Sequence, residues 1–187
     1  MTLGEGKRKV LMLLDEYSNG GELDIDEDIE AKLHDFFDIA QKDVAAYQPI
    51  LRRAAVTLDG SGSVALPGDA ARVLRVTKDG RRTSRYEVVD GKLLSDEGDT
   101  STLTLDYTAT PETITPETED SYVFEVSEAA ANCLPFFVAS QHLLADITVD
   151  YGAFYNMYLQ MRGALDRSAG TLRGGSVRQA LYGGERR

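Results

Sequence analysis

The sequence predicts an α+β protein: a discontinuous helical bundle of two N-terminal and two C-terminal helices, with an inserted antiparallel β subdomain and a flexible C-terminal tail. Three observations support this prediction. Apolar residues recur every three or four positions before residue 50 and after residue 126, as in helices that bury one face. Between them, short alternating runs are separated by Asp-Gly dipeptides, which favour tight turns between antiparallel strands. The last residues are rich in glycine and arginine and lack such periodicity.

The domain boundaries follow from these changes of pattern. We expect residues 1–50 and 127–168 to form the helical bundle, residues 51–126 the inserted β subdomain, and residues 169–187 a flexible basic C-terminal arm. A chain of 187 residues with 42% hydrophobic and 27% charged residues has the composition of a folded globular protein. Neither a membrane-spanning run of about 20 apolar residues nor a secretory signal is recognisable. We therefore expect a protein made and kept in a cytoplasm, with no membrane partner.

The two N-terminal helices are predicted from apolar stripes. The first stripe consists of Val10, Leu13, Leu14 and Tyr17, and we expect this helix to end at residues 19–21, Asn-Gly-Gly. The second stripe consists of Ile29, Leu33, Phe36, Phe37, Ala40, Val44 and Tyr47. Acidic residues occupy the first turns of the second helix, where they favour the positive end of the helix dipole. Pro49 ends this helix.

The β portion begins near Leu51. Its predicted strands are residues 54–58, 71–78, 84–90 and 101–109. Asp-Gly turns at 59–60, 79–80 and 90–91 separate these strands. Pro111 and Pro116 then mark a loop, because proline cannot donate to a strand ladder.

Helical periodicity returns after residue 126. Ser127 is the expected N-cap of an almost wholly apolar helix, in which Pro135 either introduces a kink or lies in the first turn. The final helix is predicted from about Thr148. Its aromatic and apolar stripe indicates core or subunit interface and consists of Tyr151, Phe154, Tyr155, Tyr158, Leu159 and Leu165.

A search for reactive groups gives no catalytic, cofactor-binding or metal-binding candidate, so we expect a protein that is not an enzyme. Cys133 lies in an apolar run typical of a buried side chain. His34 and His142 have no metal-ligand spacing to another histidine or to the cysteine. The run 24–28 resembles a calcium loop only briefly, because Ile29 stands where the loop turn needs glycine. The carboxylates of residues 96–99 read as a solvated turn, and no glycine-rich phosphate loop joins a strand to a helix.

The charge pattern points instead to contacts between copies. A net charge of −11 disfavours general binding to nucleic acid phosphates. Six cations nevertheless surround one predicted hairpin: Arg72, Arg75, Lys78, Arg81, Arg82 and Arg85. One interpretation is a solvated strand edge that discourages aggregation. The other is an inter-subunit contact between cations and carboxylates of an adjacent copy, involving Arg75, Arg81, Arg82 and Arg85 with Asp24, Asp26 and Asp28.

Three segments in order resemble the head-to-tail connector, or adaptor, proteins of tailed bacteriophages. The first is Leu66-Pro-Gly-Asp69 leading into the strand Ala71-Arg-Val-Leu-Arg-Val76. The second is Tyr107-Thr-Ala-Thr-Pro-Glu-Thr-Ile-Thr115, with Thr118 and Asp120 after it. The third is Ala131-Asn-Cys-Leu-Pro-Phe-Phe-Val-Ala139. The likeness covers roughly residues 5–168 and rests on the order of these short motifs.

The resemblance implies a structural virion protein located in the neck, between head and tail, and in the host cytoplasm during assembly. In that family a helical bundle carries a β insertion, and about twelve copies form a ring beneath the portal. The implied partners are the portal protein, neighbouring copies in the ring, the next neck or tail-completion protein, and double-stranded DNA that passes through the channel without sequence recognition. The implied portal-binding arm contains Leu172, Arg173, Val177, Arg178, Leu181, Tyr182, Arg186 and Arg187.

Two other interpretations remain open at the level of sequence. The chain is alternatively another neck or tail-completion ring subunit, or the equivalent part of a domesticated phage particle. A second class is a ligand-binding module that uses the β subdomain, for which exposed aromatic residues on one strand face are expected. Tryptophan is absent from the sequence, and Tyr86 and Tyr107 are the tyrosines within predicted strands.

Overall fold

The computed structural model describes residues 1–14, 27–96, 100–143 and 152–165, with side chains for all of these except 27–31 and 143. The protein is α+β, with antiparallel sheets. The helices are α1 (Leu3–Leu13), α2 (Glu27–Tyr47), α3 (Glu128–Ala131), α4 (Leu134–Leu143) and α5 (Gly152–Gly163). The strands are β1 (Ile50–Thr57), β2 (Ser63–Ala65), β3 (Ala70–Lys78), β4 (Arg81–Thr83), β5 (Tyr86–Val89), β6 (Lys92–Ser95) and β7 (Thr102–Ala109).

Helix α1 begins at a capping box. The hydroxyl of Thr2 accepts a hydrogen bond from the backbone N–H of Glu5, and the Glu5 carboxylate accepts one from the N–H of Thr2. The helix ends at Leu13, earlier than the Asn-Gly-Gly end predicted from sequence, and residues 15–26 lie outside the described part of the chain. The beginning of α1 is also tied to a distant segment, because the Leu3 N–H donates to the Tyr122 carbonyl at 2.8 Å.

Two compact units divide the chain near Gln48/Pro49 and Thr110/Pro111. The helical unit comprises 1–48 and 111–167, and the described part of the β unit comprises 49–96 and 100–110. Residues 111–126 thus pack within the helical unit, and the predicted boundary of the β subdomain at residue 126 is wrong. The physical reason is that Ile114 and Phe124 are buried among the helices, and the Ile114 N–H donates to the Asp38 carboxylate at 3.0 Å.

The helical unit is organised around α4, which packs against α1, α2 and α5. Its core contains Leu3, Val10, Leu33, Phe37, Ala40, Val44, Ile114, Phe124, Leu134, Val138 and Tyr158. Ser127 caps α3 as expected, because its hydroxyl accepts from the Ala130 N–H at 3.2 Å. The apolar run is not one continuous helix: it breaks at residues 132–133, and Pro135 lies in the first turn of α4. No helix in the described ranges has the length and apolar character needed to cross a membrane.

The β unit contains two antiparallel sheets. The four-stranded sheet has the order β1-β7-β3-β4, and the three-stranded sheet has the order β2-β6-β5. Strands β2, β4 and β6 were not predicted, because three or four residues are too few to display an alternating pattern. The core of this unit contains Leu58, Val76, Leu93, Leu103, Leu105, Tyr107 and Ala109.

Candidate interaction surface

The cationic cluster predicted from sequence is carried by the β3–β4 hairpin. Asp79 and Gly80 form its turn with φ values of 49° and 76°, so both residues are left-handed, as a type I′ turn requires. This turn matches the twist of the strands and places Lys78 directly across from Arg81. Strand β4 is an edge of the four-stranded sheet, which leaves the hairpin open on one side.

The hairpin borders an open groove of about 630 Å³, lined by Lys78, Asp79, Arg81, Arg82, Thr83, Ser84 and Arg85. The side chains of Arg81, Arg82 and Arg85 are exposed. Within the described residues, none of these three guanidinium groups forms an ion pair. An open groove bordered by three exposed guanidinium groups is suited to an acidic surface and lacks the enclosure typical of a small-molecule site.

Arg75 differs from its neighbours because it is already paired inside the β unit. Its Nε lies 2.7 Å from Oδ2 of Asp106, and the Nε of Arg53 lies 2.6 Å from Oδ1 of the same carboxylate. Asp106 thus stands on the central strand β7 between one arginine on β1 and another on β3. The hydrogen bond from Arg53, with further contributions from Arg75, holds the pKa of Asp106 below its ordinary value against the opposing effect of burial.

The strand register extends this arrangement into a surface, which we call the Arg-Thr face. Alternate residues of β7 point away from the apolar core, and their partners on the neighbouring strands share that side. The Arg-Thr face consists of Arg53, Arg72, Arg75, Arg82, Thr57, Thr77, Thr102, Thr104, Thr108 and Asp106, together with the exposed Leu51 and Ala55 of β1. Irregularities in the register between Val73 and Arg75 return Arg75 to this side, opposite Asp106. Sequence reasoning missed the face because it is assembled from four strands.

Tyr107, a candidate for the ligand-binding interpretation, lies on the opposite side of the same sheet. Tyr107 is 4% exposed, and its hydroxyl donates to the Asp69 carboxylate at 3.2 Å. Arg52 binds the other oxygen of Asp69 at 2.6 Å. Burial, aided by the Asp69 carboxylate, raises the pKa of Tyr107. Tyr107 is therefore a structural side chain, and Tyr86 is half-buried.

Several predicted contact residues lie outside the part of the chain that the structure describes. They are Asp24, Asp26, Leu172, Arg173, Val177, Arg178, Leu181, Tyr182, Arg186 and Arg187. Asp28 belongs to α2, of which only the backbone is described at that position. The structure therefore brings Arg81, Arg82 and Arg85 together, but it does not place their predicted carboxylate partners.

The cysteine and the two histidines of the chain are buried or half-buried. Cys133 is buried at the break between α3 and α4, its thiol donates to the Ala129 carbonyl at 3.3 Å, and burial raises its pKa. His34 is buried on α2, with Nε2 3.3 Å from the Thr118 carbonyl oxygen. His142 is half-buried in the last turn of α4. In the described ranges, no group of three or more His, Cys, Asp or Glu side chains is arranged to hold a metal ion.

The aromatic stripe of α5 is divided between core and surface. Tyr158 is buried, and its ring packs against Phe137 with centroids 5.2 Å apart. The Tyr158 hydroxyl and the Arg162 guanidinium both donate to the carboxylate of Asp43 on α2. Tyr155 and Leu159, which belong to the same predicted stripe, are exposed along with Met157. One side of α5 thus joins the core while another presents apolar side chains to solvent.

Charge is segregated between the two units. Residues 1–48 and 111–167 contain 7 basic and 21 acidic residues, a net charge of −14. Residues 49–110 contain 9 of each, a net charge of zero, and four of those cations lie on the Arg-Thr face. The protein therefore carries an acidic unit and, on its other unit, a locally cationic surface.

Comparison with known proteins provides no relative from which to transfer a function. A scan against protein-family models and a search of the curated proteins both found no match to this chain.

Proposed function

We propose that this protein is a head-to-tail adaptor subunit of a tailed bacteriophage: a structural virion protein that forms a ring, binds the portal and links the DNA-filled head to the tail. In this proposal the two N-terminal and two C-terminal helices form the discontinuous bundle, and the β unit is its insertion. The C-terminal arm, residues 169–187, binds the portal. The motif order in residues 66–139 supports the assignment.

The observation that supports the proposal most directly is the segregation of charge. A ring of identical subunits needs two different, complementary patches on each copy, since each subunit contacts the next in a head-to-tail manner. The acidic helical unit and the exposed cations of the β3–β4 hairpin supply such a pair. Electrostatic complementarity of this kind sets orientation and register more than it sets affinity.

Exposed apolar residues on α5 provide a second kind of contact. Tyr155, Met157 and Leu159 are 38%, 45% and 36% exposed, respectively. Aromatic residues and methionine are enriched in protein interfaces, where they bury large apolar areas. We assign these three side chains to contacts with a neighbouring virion subunit.

The arm is assigned to the portal on the basis of its composition and of the resemblance. A basic segment that becomes ordered on its partner binds only once that partner is present, which enforces an order of assembly. Removing residues 169–187 is expected to leave a folded protein that no longer attaches to the portal. The matched control retains the length of the arm and replaces Arg173, Arg178, Arg186 and Arg187 with glutamine, which tests charge separately from contact area.

The deciding experiment is cryo-electron microscopy of virions of the phage that encodes this chain, or of the protein bound to its portal. The proposal expects a ring of copies between portal and tail with residues 169–187 on the portal. A ring located lower in the neck would identify a tail-completion subunit. Absence of the protein from the neck, or normal portal attachment of the truncated form, would overturn the assignment.

A further inference from the structure

The Arg-Thr face is an exposed sheet surface with an unbalanced charge. It carries four arginines and one aspartate, and Asp106 is already bound by Arg53 and Arg75. Arg72 and Arg82 are exposed, and neither guanidinium forms an ion pair within the described residues. The threonine hydroxyls between the arginines bond largely within the sheet: Thr57 with Thr102, Thr77 with the Thr104 carbonyl and Thr108 with the Arg72 carbonyl. The exposed guanidinium groups favour an occupant with several carboxylates or phosphates.

The charge of the whole chain decides between these two classes of occupant. The net charge of −11 opposes the approach of a nucleic acid, which carries a negative charge at every phosphate along its length. An acidic protein surface presents only a few carboxylates, which the arginines of the face match at short range. The described residues of this chain contain such a surface.

That surface is the segment 112–120, which we call the acidic loop. Glu112, Glu117, Glu119 and Asp120 are all exposed, and Asp120 is paired with the buried Lys7 at 2.8 Å. The loop is held in place from below: the Thr115 N–H donates to Thr118, and the Gly4 N–H donates to the Asp120 carbonyl at 3.0 Å. A hydrogen bond from the Thr115 side chain lowers the pKa of Glu117 and so favours its ionised form.

We propose that the Arg-Thr face of one copy docks the acidic loop of a second copy. Apart from Asp120, which Lys7 neutralises, the loop has three exposed carboxylates; these equal the excess of three cations on the face, so the contact is close to neutral. Because the patches are on different parts of the chain, the contact is head-to-tail: in a pair, one copy retains a free loop and the other a free face. This inference rests on the proposed ring and names the surfaces that join its subunits.

The first measurement is sedimentation velocity of the full-length protein from about 1 µM to about 1 mM, a range that covers weak association. At about 0.01 M salt, where charges act over roughly 30 Å, the wild type is expected to self-associate. At about 1 M salt, where that distance is roughly 3 Å, it is expected to dissociate. A wild type that stays monomeric throughout the range at low salt would overturn the proposal.

Charge reversal identifies the surfaces. Arg72→Glu with Arg82→Glu makes the face acidic, and Glu117→Lys with Glu119→Lys makes the loop basic. Each double variant alone is expected to associate at least about tenfold more weakly than wild type, since it sets like charges against each other. The matched control is Lys9→Glu with Lys92→Glu, which changes net charge equally at exposed sites outside the face.

Mixing the two reversed variants distinguishes loss of the contact from loss of folding, because misfolded variants are not expected to regain association. The acidic face of one then meets the basic loop of the other, and association is expected to return in a 1:1 mixture. A mixture that remains monomeric, or a control as defective as the face variant, would refute the contact. Binding of duplex DNA by wild type, abolished by the Arg72 and Arg82 changes without any self-association, would reassign the face to nucleic acid.

The two proposals fail in different ways. If the adaptor assignment is wrong but the contact is right, the mixed variants still associate in solution while the protein is absent from the neck of virions. If the contact is wrong but the assignment is right, the protein occupies the neck and the face variant is incorporated there as efficiently as wild type.

Discussion

The Nε of Arg53 lies 2.6 Å from Oδ1 of Asp106, directly across the β1–β7 strand pair. The other oxygen of the same carboxylate is bound by Arg75 of β3, the strand on the other side of β7. This one acidic side chain therefore connects three neighbouring strands on the side of the sheet that faces away from the core. Its removal affects both the stability of the β unit and the charge of the Arg-Thr face.

We expect Asp106→Asn to lower the free energy of unfolding by about 2 kcal/mol, because two charge-assisted contacts of a largely buried carboxylate are lost. The folded pKa of Asp106 lies below its ordinary value of 3.8. Its stabilising contribution is therefore complete above that value and is lost as pH falls through the folded pKa. Denaturant unfolding at a series of pH values tests this. The exposed Asp96→Asn serves as control, and equal pH dependence in wild type and Asp106→Asn would contradict the prediction.

Tyr158→Phe and Tyr158→Ala separate the hydroxyl of this residue from its ring. Removing the hydroxyl leaves Asp43 still bound by Arg162, so we expect a loss of about 1 kcal/mol. Removing the ring creates a cavity beside Phe137, and we expect a loss of about 3–5 kcal/mol. Thermal and denaturant unfolding measure both values. A phenylalanine variant as unstable as the alanine variant would show that the hydrogen bond to Asp43 dominates.

Gly6→Ala is expected to destabilise the protein by about 1–3 kcal/mol, although alanine favours helices. A Cβ at position 6 would lie 2.9 Å from Cζ of Phe37 and 3.3 Å from a ring carbon of Phe124. Gly163→Ala in α5 is the matched control, because a Cβ there meets nothing within 4 Å. We expect the control to be neutral or slightly stabilising. Equal unfolding midpoints for the two variants would argue against close packing of α1.

The thiol of Cys133 is expected to react slowly with a thiol-specific reagent in the native protein and rapidly after unfolding. The side chain is 1% exposed, and burial raises its pKa, so little thiolate is accessible at neutral pH. Spectrophotometric titration of the thiol with and without denaturant measures the difference. Rapid reaction in the folded state would revive a chemical role for this residue.

Local sequence signals predicted much of the architecture. The Asp-Gly turns at 79–80 and 90–91 were expected between antiparallel strands, and the four aspartate and glycine residues have the positive φ angles that such turns need. The α+β class follows from the same signals, because turn chemistry and helical periodicity are both properties of neighbouring residues.

Features that depend on distant residues were not predicted. The pairing of Arg75 with Asp106 requires the exact register of β3 against β7, including its irregularity, which no local pattern encodes. The packing of residues 111–126 among the helices depends on contacts such as that between Leu3 and Tyr122, which are far apart in the chain. The break between α3 and α4 lies inside an apolar run, where periodicity cannot mark a boundary.

The tie between Leu3 and Tyr122 also has a consequence for synthesis. All described strands of the β unit have been synthesised by residue 110, whereas α1 must wait for residues 120–124 and then for α4 before its apolar side is covered. At about 5–20 residues per second, the first helices therefore emerge several seconds before their partners. During that interval the strands of the β unit have been synthesised but the helical unit is incomplete. Chaperones that recognise exposed apolar helices are then able to bind the nascent chain.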